Sequence, residues 1–314
     1  MATPTAFFEG QFVPLEQANI IIMTHAFNYL TAVFEGIRGN WNEEQGEMYL
    51  FKVPEHIRRI RQSAKIMRME IRYTDAEIAA MVQQVAARSG YHEDVYIRPM
   101  VYKASKVVGL RVHNLDDEFL IFVTPFGAYL DPDAGARCMT SSWRRVDDTA
   151  IPARAKVTGI YVNNSMAKTE ANLNGFDEAI MLNNDGHVSE GSGENIIMIR
   201  NGKLITPSPS DNILEGITLD TALQLAQTHL GLEVEHRSID RTELYIADEV
   251  FMTGTAAHVT PITEIDRVAI GDGKPGPIAK KIQDLYFQMI TGRMPEYRDW
   301  LTPVFKNTAV GAKA

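Results

Sequence analysis

The sequence has 314 residues, 45% of them hydrophobic and 23% charged, with 31 Lys plus Arg against 40 Asp plus Glu and a net charge of −9. That length holds two domains of ordinary size or one large one, and the composition is that of a globular chain with a real core. Mild acidity argues against the basic face that nucleic acids and anionic membranes select, and no apolar run approaches the roughly 18 residues of a membrane span.

Residues 1–17, MATPTAFFEGQFVPLEQ, have neither a basic start nor a continuous apolar stretch, so no secretory signal is expected and the cytoplasm is the expected location. Within 6–23 the breaks at Glu9-Gly10 and Pro14 predict two short strands joined by a turn. THAFNYLTAVFEGIRGNW (24–41) reads as a helix start running into a strand. The polar turn Glu43 to Gly46 and MYLFKV (48–53) then complete a hairpin. Pro54 opens a helix with Ile57, Ile60, Ala64 and Met67 on one face. Thr74, followed by Asp75 and Glu77, caps a second helix that Gly90 stops. VYIRPMVYKA (95–104) and EFLIFVTPF (118–126) are strong strands.

The stretch GAYLDPDAGAR (127–137), rich in Gly, Pro and Asp, reads as a linker, and the chain restarts with a strand in RCMTSSWRR. Cys138 is the lone cysteine, which rules out an intrachain disulfide or a multi-thiolate metal site and suits a small buried apolar residue. SMAKTEANLNG (165–175) is helical, and Asn201-Gly202 marks a two-residue hairpin. Thr218 opens a helix that Gly231 ends. VEHRSI and EVFMTG are strands flanking a short helix, DRTELYIA, and the last helix is entered through Pro275 and Pro277. The expected organisation is a small N-terminal domain over 1–126, a linker over 127–137, a large domain over 138–303 and a tail over 304–314.

Read singly, most polar residues here are surface charges or turn residues. Lys156 stands out by lying between small residues and the apolar stretch VTGIYV, and Glu190 by lying in the glycine-rich SEGSGEN (189–195). Tyr96 and Arg98 alternate along one strand, so both point to the same face. LEGITLD (214–220) brings a glycine to a helix start, where backbone N–H groups can receive a phosphate.

Taken together, VFEGIR, YIRP, SEGSGEN, EGIT and ADEVFMTGTAAHVTP resemble the branched-chain amino-acid aminotransferases, fold-type IV enzymes dependent on pyridoxal 5'-phosphate (PLP), over roughly residues 5–300. The resemblance implies a mixed α+β and α/β, two-domain fold of the D-amino-acid aminotransferase-like kind, with the large domain binding PLP. It implies that Lys156 follows an Ala-rich strand, forms the aldimine with PLP and carries the proton between the substrate α-carbon and the cofactor. Glu190, read as sitting in the turn, would hold the proton on the pyridine nitrogen, and Tyr161 would bond the ring's 3′ oxygen. Gly193, Glu194 and Asn195 would complete that wall. Arg59, Leu214, Gly216, Ile217, Thr218, Gly254 and Thr255 would hold the phosphate end. Tyr29, Leu30, Phe34, Arg38, Tyr96, Arg98, Phe126 and Tyr129 would line the substrate pocket, and Ala256 and Ala257 would offer N–H groups to the α-carboxylate. No metal is implied.

The implied reaction is ping-pong transfer of an amino group between a branched-chain L-amino acid (Leu, Ile or Val) and a 2-oxo acid, 2-oxoglutarate, by a homodimer or higher homo-oligomer. Several positions depart from the family pattern: Leu30 where glycine is usual, Ile197 for an aromatic residue, Phe126 for tryptophan, Leu219 for arginine, and the 103–112 loop. They raise the alternative of an (R)-selective amine transaminase taking bulky amines and ketones, including an engineered variant of that kind. A more distant alternative is a PLP- or phosphate-binding protein without turnover.

Overall fold

The computed structural model describes residues 4–127 and 134–306. Residues 128–133 of the expected linker, Tyr129 among them, and 307–314 of the expected tail lie outside the described residues. The chain divides into two compact units, Met1–Gly127 with Ala155–Gly159 and Gln288–Ala314, and Ala128–Arg154 with Ile160–Phe287. Each unit is built around its own sheet.

In the first unit, Glu9 and Gly10 take φ values of 47° and 81°. Such a left-handed pair makes the tight hairpin that joins β1 (Thr5–Phe8) to β2 (Gln11–Pro14), as expected. The single-turn helix α1 (His25–Tyr29) ends on Leu30 at φ 55°, ψ 32°. Strands β3 (Ala32–Phe34), β4 (Ile37–Asn42) and β5 (Glu47–Phe51) follow, then α2 (Val53–Ile66) and α3 (Asp75–Ser89). The long hairpin β6 (Val95–Lys103) and β7 (Asp117–Pro125) supplies the centre of the sheet. Eight strands are described in this sheet, all paired antiparallel. The last of them, Leu301–Pro303, returns to pair with β5. One edge of β6 is shared: β4 covers Val95–Ile97 and β3 covers Met100–Tyr102. The chain between β3 and β4 therefore turns beside Arg98.

Helix α2 buries Ile57, Ile60 and Ala64 of the expected apolar stripe, together with Val53, while Met67, expected on that stripe, caps the helix end instead. Along the same face it also buries His56, Arg59 and Ser63. These three share one polar stripe at helical spacing. Helix α3 begins with a reciprocal cap. Thr74 Oγ1 accepts from the Glu77 amide at 3.3 Å and Glu77 Oε2 accepts from the Thr74 amide at 2.7 Å. Gly90, at φ 65°, ends the helix.

The second unit opens with β8 (Ala136–Thr140) and continues through α4 (Ile160–Leu173), β9 (Glu178–Leu182), β10 (Val188–Gly191), β11 (Asn195–Arg200) and β12 (Lys203–Thr206). Then come α5 (Ile217–Leu230), β13 (Glu233–His236), α6 (Arg241–Leu244), β14 (Glu249–Gly254), β15 (His258–Ile265), β16 (Val268–Ala269) and α7 (Pro277–Ile290). Nine strands are described in its sheet, in the order β10-β9-β8-β15-β14-β11-β12-β13 with β16 on β15. The sheet is mixed, with parallel pairs at β8–β9, β8–β15 and β12–β13. Strand β11 is buried on both faces, which is why IIMI (196–199) reads as an unbroken apolar run. Ile196 and Met198 join Cys138, Ile180, Val250 and Ile262 in one core cluster. Ile197 is fully buried and lies opposite Phe251.

No helix among the described residues is long and apolar enough to cross a membrane. Thr74→Ala should remove the cap of α3 at a cost of about 1 kcal/mol, read as a fall of about 2–4 °C in melting temperature. An unchanged melting curve would mean that packing alone holds that helix end.

Candidate active site

Lys156 does not follow a strand, contrary to the expectation; it lies in a loop, half-buried, four residues before α4. Hydrogen bonds nonetheless fix it within the first unit. Its amide donates to Ser63 Oγ of α2 at 3.1 Å, and its carbonyl accepts from the Phe34 amide at 3.1 Å. The Thr158 amide donates to Ala32 O at 2.9 Å, and Thr158 Oγ1 donates to Leu30 O at 2.6 Å. The lysine's backbone is thus sewn to the edge of β3 as a one-bridge ladder, Val157 opposite Val33. Its Nζ lies 5.2 Å from the Phe34 ring centre.

Next to Phe34 in the chain, Glu35 forms a buried ion pair. Arg59 donates from Nε to Glu35 Oε1 and from a terminal nitrogen to Oε2, both at 2.7 Å. His56 Nδ1 meets the same Oε2 at 2.7 Å. Burial would raise the Glu35 carboxyl, but Arg59 and His56 outweigh it and hold it far below the usual carboxylate range. Burial pushes His56 down, and Arg59 and Lys156 add to that against the pull of Glu35. The imidazole is therefore neutral at pH 7 and donates its Nδ1 proton to the carboxylate. Glu35 and His56 were missed in the sequence, where the signal was a lone charge inside the apolar run VFEGI.

The aromatic and arginine candidates of this unit gather on the face of β6. The Arg98 guanidinium lies 4.5 Å from the Phe34 ring centre and 5.1 Å from that of Tyr96, and donates to the Tyr96 hydroxyl at 3.2 Å. Its Nε is buried without a hydrogen-bond partner among the described residues. Phe126 lies 5.5 Å from Tyr96, ring centre to ring centre. Arg38 is buried and spends a bond on Gly127 O at 3.0 Å, with Asp94 at 3.7 Å and Phe126 under its guanidinium. Tyr29 is engaged elsewhere: its hydroxyl accepts from the Gly109 amide at 3.1 Å and its ring packs on His25. Leu30 is exposed and reaches the lysine loop through its carbonyl bond to Thr158 and its Cβ near Gly159.

In the second unit, Glu190 sits on strand β10 rather than in the glycine-rich turn, which begins two residues later at Ser192. The strand gives the carboxylate a fixed direction that a turn would not. Oε2 accepts from Asn195 Nδ2 and from the Leu214 amide, each at 2.9 Å. Oε1 receives Arg145 at 2.7 Å. Asn195 also donates to Leu214 O at 2.8 Å. A Cβ on Gly216 would stand 2.0 Å from Asn195 Oδ1, so glycine is what lets these groups close up. Gly216 is the N-cap of α5, whose first intrahelical bond is from the Asp220 amide at 3.0 Å. The amides of Ile217 and Thr218 therefore precede that bond, at the positive end of the helix. Gly254 approaches Gly193 O and Glu194, and Thr255 to Ala257 form the turn between β14 and β15. Tyr161 is half-buried in the first turn of α4.

Burial, then Glu178, push Glu194 up to about 8. Its carboxyl is thus neutral at pH 7. Cys138 is buried and pushed well up, first by that burial, so it stays a thiol. Arg145 was missed altogether, since one arginine in RCMTSSWRR has no periodic signal.

A carboxylate held by three donors, a glycine-bordered helix start and a lysine on a rigid edge are the donor set that a phosphorylated pyridine aldehyde needs. The chain belongs to the class IV aminotransferase family, whose model matches residues 32–265. It is a PLP-dependent aminotransferase of the fold-type IV kind anticipated from the sequence. The chain is 50% identical over 300 residues to a probable branched-chain-amino-acid aminotransferase of Aquifex aeolicus, covering 96% of each. It superposes with a TM-score of 0.92 on the branched-chain aminotransferase of Thermoproteus uzoniensis, solved with norvaline, at 42% identity over 96% of this chain and 100% of that one. The PLP-form enzyme of Thermobaculum terrenum gives a TM-score of 0.91 at 40% identity, over 97% and 99%. These likenesses favour neither the amine-transaminase alternative nor the protein without turnover.

Three substitutions test this geometry. Gly216→Ala should displace the Asn195 amide and cost about 1–3 kcal/mol of stability. Adding Asn195→Ala should recover part of that loss in the melting curve, whereas a simple sum of losses would count against the contact. Glu35→Gln leaves a buried guanidinium without its anion and should cost about 3 kcal/mol or more. A urea titration showing less than 1 kcal/mol would mean that Arg59 is not held by Glu35 in solution.

Proposed function

We propose that this aminotransferase exchanges the amino group of branched-chain L-amino acids with 2-oxoglutarate. The observation that carries this reading is Arg98: a guanidinium stacked among Phe34, Tyr96 and Phe122, with a buried Nε that has no protein acceptor among the described residues. A carboxylate is the acceptor such a fork suits, and the γ-carboxylate of the 2-oxo acid supplies one. The rings of Phe34, Tyr96 and Phe126 offer a branched aliphatic side chain apolar surface.

PLP, when bound, supplies an electron sink that acidifies the substrate's α-proton. Lys156 Nζ takes that proton from the α-carbon and returns it, which a half-buried amine on a fixed backbone can do. Glu190 keeps a proton on the pyridine nitrogen. Tyr161 bonds the ring's 3′ oxygen, with Gly193, Glu194, Asn195 and Leu214 shaping the same wall. Arg59, the Ile217 and Thr218 amides, Gly216, Gly254 and Thr255 hold the phosphate. Arg98 binds the acceptor, Tyr29 adds the hydroxyl proton that its bond from the Gly109 amide does not use, Leu30 borders Tyr29, Arg38 braces Phe126, and Ala256 and Ala257 offer amides to the α-carboxylate.

The assembly we propose is a homodimer or a multiple of it. Ile20 to Met23, Phe27, Leu30, Val107, Val108 and Leu110 are exposed on two segments tied together by the Thr24–Lys106 bridge, an apolar area of the kind a second copy covers. A cytoplasmic location accords with the single, buried, reduced cysteine.

An absorbance titration of the yellow holoenzyme tests the substrate. L-Leucine should abolish the visible cofactor band, and an (R)-arylalkylamine should leave it. Bleaching by the amine with little response to leucine would overturn the substrate assignment. A protein that stays colourless after addition of PLP would overturn the functional reading altogether.

A further inference from the structure

Arg145 is nearly fully buried, and its guanidinium makes three separate bonds inside the second unit. One terminal nitrogen meets Glu190 Oε1 at 2.7 Å, the other donates to Asn164 Oδ1 at 2.9 Å, and Nε donates to Asn212 O at 3.1 Å. Its amide donates to Leu182 O at 2.9 Å, so the backbone is anchored as well. A buried ion pair of this kind is a poor source of stability, because two apolar side chains of similar volume would serve as well. Its value has to lie in what it does to Glu190.

We propose that Arg145 is a positioning residue that keeps Glu190 ionised and aimed, so that the proton shared with the pyridine nitrogen rests on the nitrogen. This rests on the reading of Glu190 as the partner of that nitrogen. A cation 2.7 Å from Oε1 stabilises the carboxylate over the carboxylic acid. The two donors on Oε2, the Asn195 amide and the Leu214 N–H, favour the same state. The titratable neighbours do not compete for this role. Lys168 is paired with Glu178 at 2.6 Å, and Glu194 is the carboxyl that takes the neutral form.

The same guanidinium also sets spacing. Asn164 is one helical turn beyond Tyr161 on α4. Arg145 therefore ties the helix of the 3′-oxygen candidate to the strand of the pyridine-nitrogen candidate. A shift of either element would break one of its bonds.

The test uses apoprotein titrated with PLP and with 1-deazapyridoxal phosphate, in which C–H replaces the ring nitrogen, alongside melting curves. Wild type should bind PLP about tenfold or more tightly than the deaza probe, the size of one charge-assisted hydrogen bond. Arg145→Met should shrink that preference to within about threefold, and Arg145→Lys, which keeps a cation beside Oε1, should retain most of it. Equal weakening of both probes in Arg145→Met, with the preference intact, would reduce Arg145 to a structural brace and overturn the inference. A folded Arg145→Lys that loses the preference would overturn it too, even where the Met variant does not fold. If wild type shows no preference between the probes, the reading of Glu190 fails first.

Discussion

An ionised carboxylate can leave water only if donors meet both of its oxygens. Each unit of this chain satisfies that constraint among its candidate residues with an arginine at the centre. In the first, Glu35 takes both bonds of Arg59 and the proton of His56. In the second, Glu190 takes Arg145, Asn195 and the Leu214 amide. Much of the local structure follows from supplying those donors. On the polar stripe of α2, His56 and Arg59 face Glu35 while Ser63 holds the Lys156 amide, and Gly216 leaves the space that Asn195 occupies.

The lysine illustrates a second kind of constraint. A flexible amine on a mobile loop would lose its directional advantage in proton transfer. Here three backbone groups between Leu30 and Phe34, together with Ser63, hold residues 156–158 in place. One consequence is that Gly159 ends a segment of the first unit and Ile160 begins a segment of the second. Lys156 and Tyr161, five residues apart, thus belong to different packing units.

Leu30 stands out against this economy. Its φ of 55° lies in the left-handed region, where a side chain costs roughly 1–2 kcal/mol. Its carbonyl nevertheless accepts from Thr158 at 2.6 Å, and that bond requires the turn. The strain is tolerated because the helix end, the lysine loop and the Gly109 segment all meet around α1. Substituting the leucine would alter backbone freedom as much as pocket shape.

The sequence by itself determined the local elements, because they depend on signals within a few residues: paired left-handed turn residues at Glu9-Gly10 and Asn201-Gly202, the Thr74 cap, and the apolar stripe of α2. It also determined the family, because the motifs are jointly specific, and it put forward Lys156, Glu190, Arg59 and Arg98 as candidates. It misjudged the settings of two of them, reading Glu190 into a turn and Lys156 behind a strand. Only the tertiary structure decided which partners hold these groups. Glu35 meets Arg59 across 24 positions, Ser63 meets Lys156 across 93, and the Leu214 amide meets Glu190 across 24. Arg145 has no signal at all until the fold brings it to Glu190. A buried charge is satisfied by whatever donors packing delivers, and packing is set by sheet order and register, which no local pattern encodes.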